Sequence, residues 1–246
     1  MNATIALITG ANKGIGLETA RRLGAGGVTV LVGSRSPERG AAAVATLREE
    51  GADARLVEVD VTDEASVAKA AAWVDDEFGR LDALVNNAGV NPPSAAAPPS
   101  GTTPAAVRET YETNVFGVVA VTNAMLPLLR RSPAGRIVNV SSDLGSLALM
   151  ADPDSVYYPY NLLAYNSSKS ALNAITVSYA KELADTSIKV NAVTPGYCAT
   201  DLNAHTGPRS ASQGAAEVAR LALLDADGPT GGFFMDDPEP GTVVPW

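Results

Sequence analysis

Short, almost uninterrupted apolar runs alternate along this chain with longer stretches in which apolar positions recur every three or four residues. The short runs, at 4–9, 28–33, 54–59, 83–86, 136–140 and 188–193, with a weaker one at 232–235, predict strands. They span four to six residues and are apolar on both sides, as strands covered on both faces must be. The longer stretches, at 15–23, 37–50, 64–78, 103–131 and 163–184, carry helical periodicity. Pro127 falls inside the fourth and predicts a kink or break near there. Alternation of this kind predicts right-handed strand–helix–strand units. The fold class expected is α/β: a doubly wound, Rossmann-type parallel sheet of seven strands with helices on both faces.

Residues 91–103 and the stretch centred on 151–161 break the pattern. The first is rich in Pro, Ala and Ser; the second holds three Tyr, two Pro and two Asp, and reads as an inserted loop over about 149–161. Neither makes a domain boundary, so residues 1–246 are read as one domain. With 46% hydrophobic but 5% aromatic residues, Ala and Val must fill its core. The opening MNATIALITG lacks the basic flank and long apolar region of a signal peptide, and no uninterrupted apolar run reaches the ~18 residues of a membrane span. A soluble, cytoplasmic protein is expected.

Charge and scarce residues narrow the chemistry. One Cys excludes an intrachain disulfide, and one His leaves little for a zinc site or a His-based nucleophile. Eighteen basic residues against 27 acidic ones give a net charge of −9. Such a surface disfavours nucleic acid and anionic membranes as partners.

The first strand runs into Thr9-Gly10-Ala11-Asn12-Lys13-Gly14-Ile15-Gly16 and then a helix. Glycines there permit a tight turn and close backbone approach to a pyrophosphate, which the free N–H groups of the helix would bind. The Gly-x3-Gly-x-Gly spacing differs from the usual Gly-x-Gly-x-x-Gly, and alone could be only a turn. Its place between first strand and first helix favours a dinucleotide. Where a bound NAD ribose usually meets a carboxylate, this chain offers Ser34 and Arg35, with Arg39 a turn later and Lys13 nearby. Those cations could be ordinary solvated charges, but an Arg suits a 2′-phosphate, so NADP(H) is favoured over NAD(H).

Tyr165 and Lys169 are four apart in a predicted helix and share a face. Alone the pair means little, since a surface Tyr/Lys pair arises easily by chance. Ser141 and Ser142 follow the strand at 136–140, where doubly wound sheets place their ligands, and Asn86-Asn87-Ala88-Gly89 ends the strand before it. Asn114 puts an amide inside a helical run. Each could be turn chemistry or a satisfied core amide.

In this order, Thr9-Gly10-x3-Gly14-x-Gly16, Asp60-Val61-Thr62, Asn86-Asn87-Ala88-Gly89, Asn114, Ser142, Tyr165-x3-Lys169 and Pro195-Gly196-x3-Thr200 resemble the short-chain dehydrogenase/reductase family over essentially the whole chain. The Ala-Asn-Lys-Gly-Ile-Gly turn with Arg35 and Arg39 is similar to its monomeric carbonyl-reductase branch. The resemblance implies reversible hydride transfer between a ketone or aldehyde and its alcohol. Tyr165 would be the general acid or base, with its pKa lowered by Lys169. Ser142, as the second of the serine pair, would hold the substrate oxygen, and Asn114 a relay water.

For the cofactor it implies the glycine turn (Gly10, Asn12, Lys13, Gly14, Ile15, Gly16), Asp60 and Val61 at the adenine, and Asn87, Ala88 and Gly89 at its ribose. Lys169, beside Tyr165, would hold the nicotinamide ribose. Pro195 and Gly196 would also touch the cofactor, and the Cys198 backbone and Thr200 hydroxyl would hold the carboxamide. His205 falls on a short substrate lid at about 200–212.

Between Ser142 and Tyr165 lie 22 residues, more than the family usually has. The added stretch is expected to cover the substrate cleft and to block the helix face used for tetramer formation, leaving a monomer. The partner expected is a small, hydrophobic carbonyl or alcohol. An NAD-linked alcohol dehydrogenase and a non-catalytic NADP(H) sensor are the alternatives.

Overall fold

The computed structural model describes residues 4–246; residues 1–3 lie outside the described part. The elements run β1 Ile5–Ile8, α1 Gly14–Ala25, β2 Thr29–Ser34, α2 Pro37–Glu49, β3 Ala54–Glu58, α3 Glu64–Phe78 and β4 Ala83–Asn86. Then follow α4 Pro104–Tyr111, a π-helical turn Glu112–Phe116, α5 Gly117–Leu129, β5 Arg136–Val140, α6 Leu147–Ala151 and α7 Leu163–Glu182. The chain closes with β6 Lys189–Val193, α8 Ala211–Ala222, β7 Phe233–Met235 and β8 Thr242–Val243. Local chemistry sets several boundaries. Asp63 caps α3 by accepting from Ala65 N, and Gly79 ends that helix at φ +67. Ser210 and Gln213 close a reciprocal capping box on α8.

The strands lie in the order β3-β2-β1-β4-β5-β6-β7-β8, all parallel except β8 against β7. The sheet therefore has eight strands rather than seven. The eighth is two residues long, pairs Phe234 with Val243, and is too short to leave a pattern in the sequence. Leu23, Val44, Leu47, Val218 and Leu221 from α1, α2 and α8 cover one face. Val67, Val74, Val121, Met125 and Leu129 from α3 and α5 cover the other. Ala and Val dominate the first of these cores, as the scarcity of aromatics requires.

Pro127 does not break its helix. It stands two residues from the end of α5, so only the last part of a turn follows the hydrogen bond it removes. The irregularity lies upstream, in the wide turn Glu112–Phe116 that holds Asn114. The 26-residue run Pro104–Leu129 is long and apolar enough (mean hydropathy 1.3) to pass as a membrane span, although no uninterrupted apolar run suggested it. Half of its apolar window is buried inside the protein, the position of a core helix.

The insert is not wholly loop. It opens with α6, whose cap residue Ser146 accepts from Leu149 N and donates to Pro245 O. Trp246 O accepts from Ala148 N, and its ring stacks on Phe233 at 5.5 Å. Turns then carry the chain through 152–161 to α7.

Candidate active site

The strand order reverses between β1 and β4, and a cleft of about 1060 Å³ opens at the carboxyl ends of the strands there. Gly10 and Gly14, at φ +65 and +57, shape the glycine turn on its wall, and Asn12, Lys13 and Ile15 border it with them. Gly16 lies beneath rather than on the wall. A Cβ there would sit 2.5 Å from Asn87 Nδ2 and 2.7 Å from Gly10 O, so only glycine fits. Asn87 does more than line a ribose site. Its Nδ2 donates to Thr9 O at 2.8 Å and Gly10 O at 3.2 Å, while Thr9 Oγ1 accepts from Asn87 N and Ala88 N. The end of β4 thereby holds the glycine turn in shape. Asn87, Ala88 and Gly89 all border the cleft.

At the far end Arg35, Arg39, Asp60 and Val61 meet. Burial pushes the Asp60 carboxyl up, but Thr62, through its N–H and hydroxyl, and the charge of Arg35 hold it below the ordinary value. Ser34 does not reach this surface. It is buried, and its hydroxyl donates to Ser36 O and accepts from Ser36 N, shaping the turn into α2. Lys13 is engaged elsewhere too: its ammonium pairs with Asp201, whose other oxygen contacts His205 Nε2 at 2.9 Å. This cluster crosses the cleft mouth from the glycine turn to the segment after β6.

Tyr165 and Lys169 close the opposite end, from one face of α7. Tyr165 is 9% exposed, and burial pushes its phenol up to about 12, eased by a hydrogen bond with Ser142 and reinforced by the charge of Asp143. Burial drives Lys169 down to about 8. Its Nζ donates to Val140 O at 2.8 Å and lies 5.7 Å from the Tyr165 ring centre. The expected lowering of the Tyr165 pKa by Lys169 is thus not found in this arrangement. Desolvation dominates both groups, and the ammonium is turned to a backbone carbonyl.

The two serines part company. Ser141 Oγ donates to Asn173 Oδ1 at 2.6 Å and is locked against α7. Ser142, partly exposed, stands behind the stretch of wall that Ser141 borders, and carries the hydroxyl that meets the Tyr165 phenol and accepts from Leu144 N. Asn114 is fully buried and off the cleft wall. Its Oδ1 accepts from Val90 N, and its Nδ2 donates to Val90 O and Ser168 Oγ. A methyl added at Gly89 would lie 3.5 Å from Asn114 Oδ1 and 3.6 Å from Lys169 Nζ, so the three bound one small space.

Beyond β6, Pro195 and Thr200 border the cleft, whereas Gly196 and Cys198 do not. Gly196, at φ +70, packs on the Arg209 side chain. Cys198 is buried with its thiol on Pro195 O, and desolvation pushes that thiol up. The Cys198 carbonyl is taken by Asn203 Nδ2, and Asn203 Oδ1 accepts from Thr200 N. Asn203 carried no signal in the sequence. Val90, Asn91 and Pro92, next along the chain from Gly89, and Glu109, Glu112 and Thr113, from α4 and the π-helical turn, also border the cleft unforeseen. The insert does not cover this cleft. Met150, Tyr158, Pro159 and Asn161 instead line a separate groove against Leu163, Asn166 and Ser170 on the outer side of α7. Among the described residues no group of three His, Cys, Asp or Glu is placed to hold a metal.

The short chain dehydrogenase family model matches residues 4–211. Short-chain dehydrogenase anuI of Penicillium roqueforti is 39% identical over 240 residues, covering 95% of this chain and 94% of the relative. The (−)-isopiperitenone reductase of Mentha piperita is 35% identical, covering 94% and 96%. NADPH-bound carbonyl reductase from chicken fatty liver superposes with a TM-score of 0.85 at 26% identity over 100% of both chains. This chain belongs to the short-chain dehydrogenase/reductase family and is an oxidoreductase of that type.

Proposed function

We propose that this protein is an NADPH-dependent carbonyl reductase that converts a small, hydrophobic ketone or aldehyde to its alcohol. The observation that carries the reading is the buried Tyr165 phenol, hydrogen-bonded with Ser142 at the closed end of the cleft. A phenol held near 12 stays protonated at neutral pH and can give its proton to a carbonyl oxygen, which is the direction of reduction. Ser142 would donate to the same oxygen as it gains charge. Lys169, cationic below about 8, adds a positive field behind them.

The residues present fit a dinucleotide. Gly10 and Gly14 leave the turn bare, Gly16 lets helix and strand close up, and Asn87 braces the whole. Asp60 and Val61 would receive the adenine, Arg35 and Arg39 the 2′-phosphate, and Thr200 and Pro195 the nicotinamide. When bound, that group supplies the hydride. Support for the phosphorylated form comes from the two arginines that border this end of the cleft, and from the NADPH in the chicken reductase. The relative that reduces isopiperitenone supports a hydrophobic ketone.

Initial rates with NADPH and NADH over a panel of cyclic terpenoid ketones, quinones and aldehydes test the reading. Faster oxidation of NADPH with at least one hydrophobic ketone is expected, and turnover confined to NADH would overturn it. A cytoplasmic monomer belongs to the same proposal. The insert lies on the outer side of α7 that a second copy would need. Light scattering should return the 25.2 kDa of one chain; a fourfold mass would exclude the monomer.

A further inference from the structure

Asp143 follows Ser142 directly and is 4% exposed, a carboxyl for which the scheme above has no use. It begins the short turn Asp143–Gly145. That turn is clamped to α7 on one side: Gly145 O accepts from Ser170 Oγ and Asn173 Nδ2, and a Cβ on Gly145 would strike the Lys169 backbone at 2.8 Å.

On the other side the clamp is Asp143 itself. Thr194 Oγ1, one residue past β6, donates to Asp143 Oδ2 at 3.0 Å. The same hydroxyl accepts from Asp143 N and Gly196 N. Asp143 Oδ1 is buried without a partner at close hydrogen-bond geometry, and the Tyr157 phenol of the insert approaches this carboxyl. Desolvation pushes both groups up, which favours the protonated forms and suits a contact shared by two neutral groups.

We propose that Asp143 is a positioning residue that fixes Ser142, by joining the Tyr157 phenol of the insert and the Thr194 hydroxyl at the end of β6 to the turn that carries Ser142. The insert then acts on the reaction through this tether, since its other residues stay off the cleft. A Ser142 hydroxyl free to drift would meet the substrate oxygen less often in the geometry that stabilises charge. The rate arm of the test rests on the carbonyl-reductase reading; the exchange arm does not.

Asp143→Ala, Asp143→Asn and Tyr157→Phe are compared by steady-state kinetics, NADPH titration and amide hydrogen exchange over residues 152–160. Asp143→Ala should lower kcat roughly 10- to 100-fold, the scale of a misplaced reacting group, with KM and NADPH affinity little changed. Asp143→Asn should restore most of kcat, because the amide oxygen can take Thr194 and the amide N–H can meet the Tyr157 oxygen. Tyr157→Phe should fall between them. Exchange in the insert should quicken in the Ala and Phe variants and stay at the wild-type rate in Asn.

Unchanged insert exchange in both Asp143→Ala and Tyr157→Phe overturns the tether, as does an Asn variant no better than Ala in kcat. If Asp143→Ala does not fold, the Tyr157→Phe and Asp143→Asn variants decide. If the wild-type chain reduces no ketone, the functional reading fails separately and the exchange comparison decides the tether alone.

Discussion

Lys169 Nζ lies 5.7 Å from the centre of the Tyr165 ring, yet its hydrogen bond goes to the Val140 carbonyl, at 2.8 Å. The two groups share a helix face but not a proton. Burial moves them in opposite directions, the phenol to about 12 and the ammonium to about 8. The consequence for Tyr165→Phe is simple. The variant should lose about 10²- to 10⁴-fold in kcat, the usual share of a general acid, while binding NADPH like the wild type. Stopped-flow rates with fluorescence titration check both halves.

Lys169→Met should abolish turnover and stabilise the fold. An ammonium held near 8 against an ordinary 10.5 is a burial cost of about 3 kcal/mol, less about 1–2 for the Val140 carbonyl left bare, so ~1–2 kcal/mol net. The sign follows from proton counting. Below pH 8 both states of the wild type are protonated and the penalty is full. From 8 to 10.5 the unfolded chain binds more protons, so wild-type stability rises with pH and the advantage of the variant shrinks. Urea unfolding at pH 7 and pH 9.5 would show it.

Ser141→Ala and Ser142→Ala should differ in kind. Removing the Ser141 hydroxyl strips a buried bond to Asn173 and costs about 1–2 kcal/mol of stability with kcat preserved. Removing that of Ser142 should depress kcat with stability preserved. Thermal melts beside initial rates separate the two.

Arg35→Ala should weaken NADPH about tenfold at low salt, the scale of one charge-assisted hydrogen bond to phosphate, and leave NADH unaffected. Equal losses for both cofactors in calorimetric titration would contradict the assignment of Arg35 to the 2′-phosphate.

Asp201→Asn should tighten NADPH binding. The Lys13–Asp201 pair spans the cleft mouth with both side chains 55% exposed, so a cofactor that needs Lys13 must compete with it. The gain should fade at high salt, where exposed pairs are screened. Weaker binding in the variant would show that the pair supports the cleft rather than obstructing it.

What the chain disclosed in advance follows from the range of the interactions involved. Strands at 83–86 and 136–140 were legible to the residue because both faces are buried and the apolar runs have sharp ends. The Tyr165 and Lys169 pair was legible because helical spacing is local. The pairing of Lys13 with Asp201 joins residues 188 apart, and Asn87 reaches back 78 to Thr9, so neither leaves a trace in any window of sequence. Ser34 and Cys198 stand at the right positions but turn inward, an orientation set by neighbouring loops. The π turn leaves no mark because Glu112–Phe116 has ordinary helical composition.

That turn also bears on how the protein tolerates changes of length. A π turn accommodates a residue more than the α turn it replaces. Losing one codon within Glu112–Phe116 would let the run close into a continuous α-helix with α4 and α5 still in phase, while Asn114 left Val90 and Ser168. Losing one from Gly117 to Ala120 would rotate all that follows by about 100° and swing Val121 and Met125 out of the core. The five residues are an expansion joint, where one deletion can separate the chemistry of the cleft from the integrity of the fold.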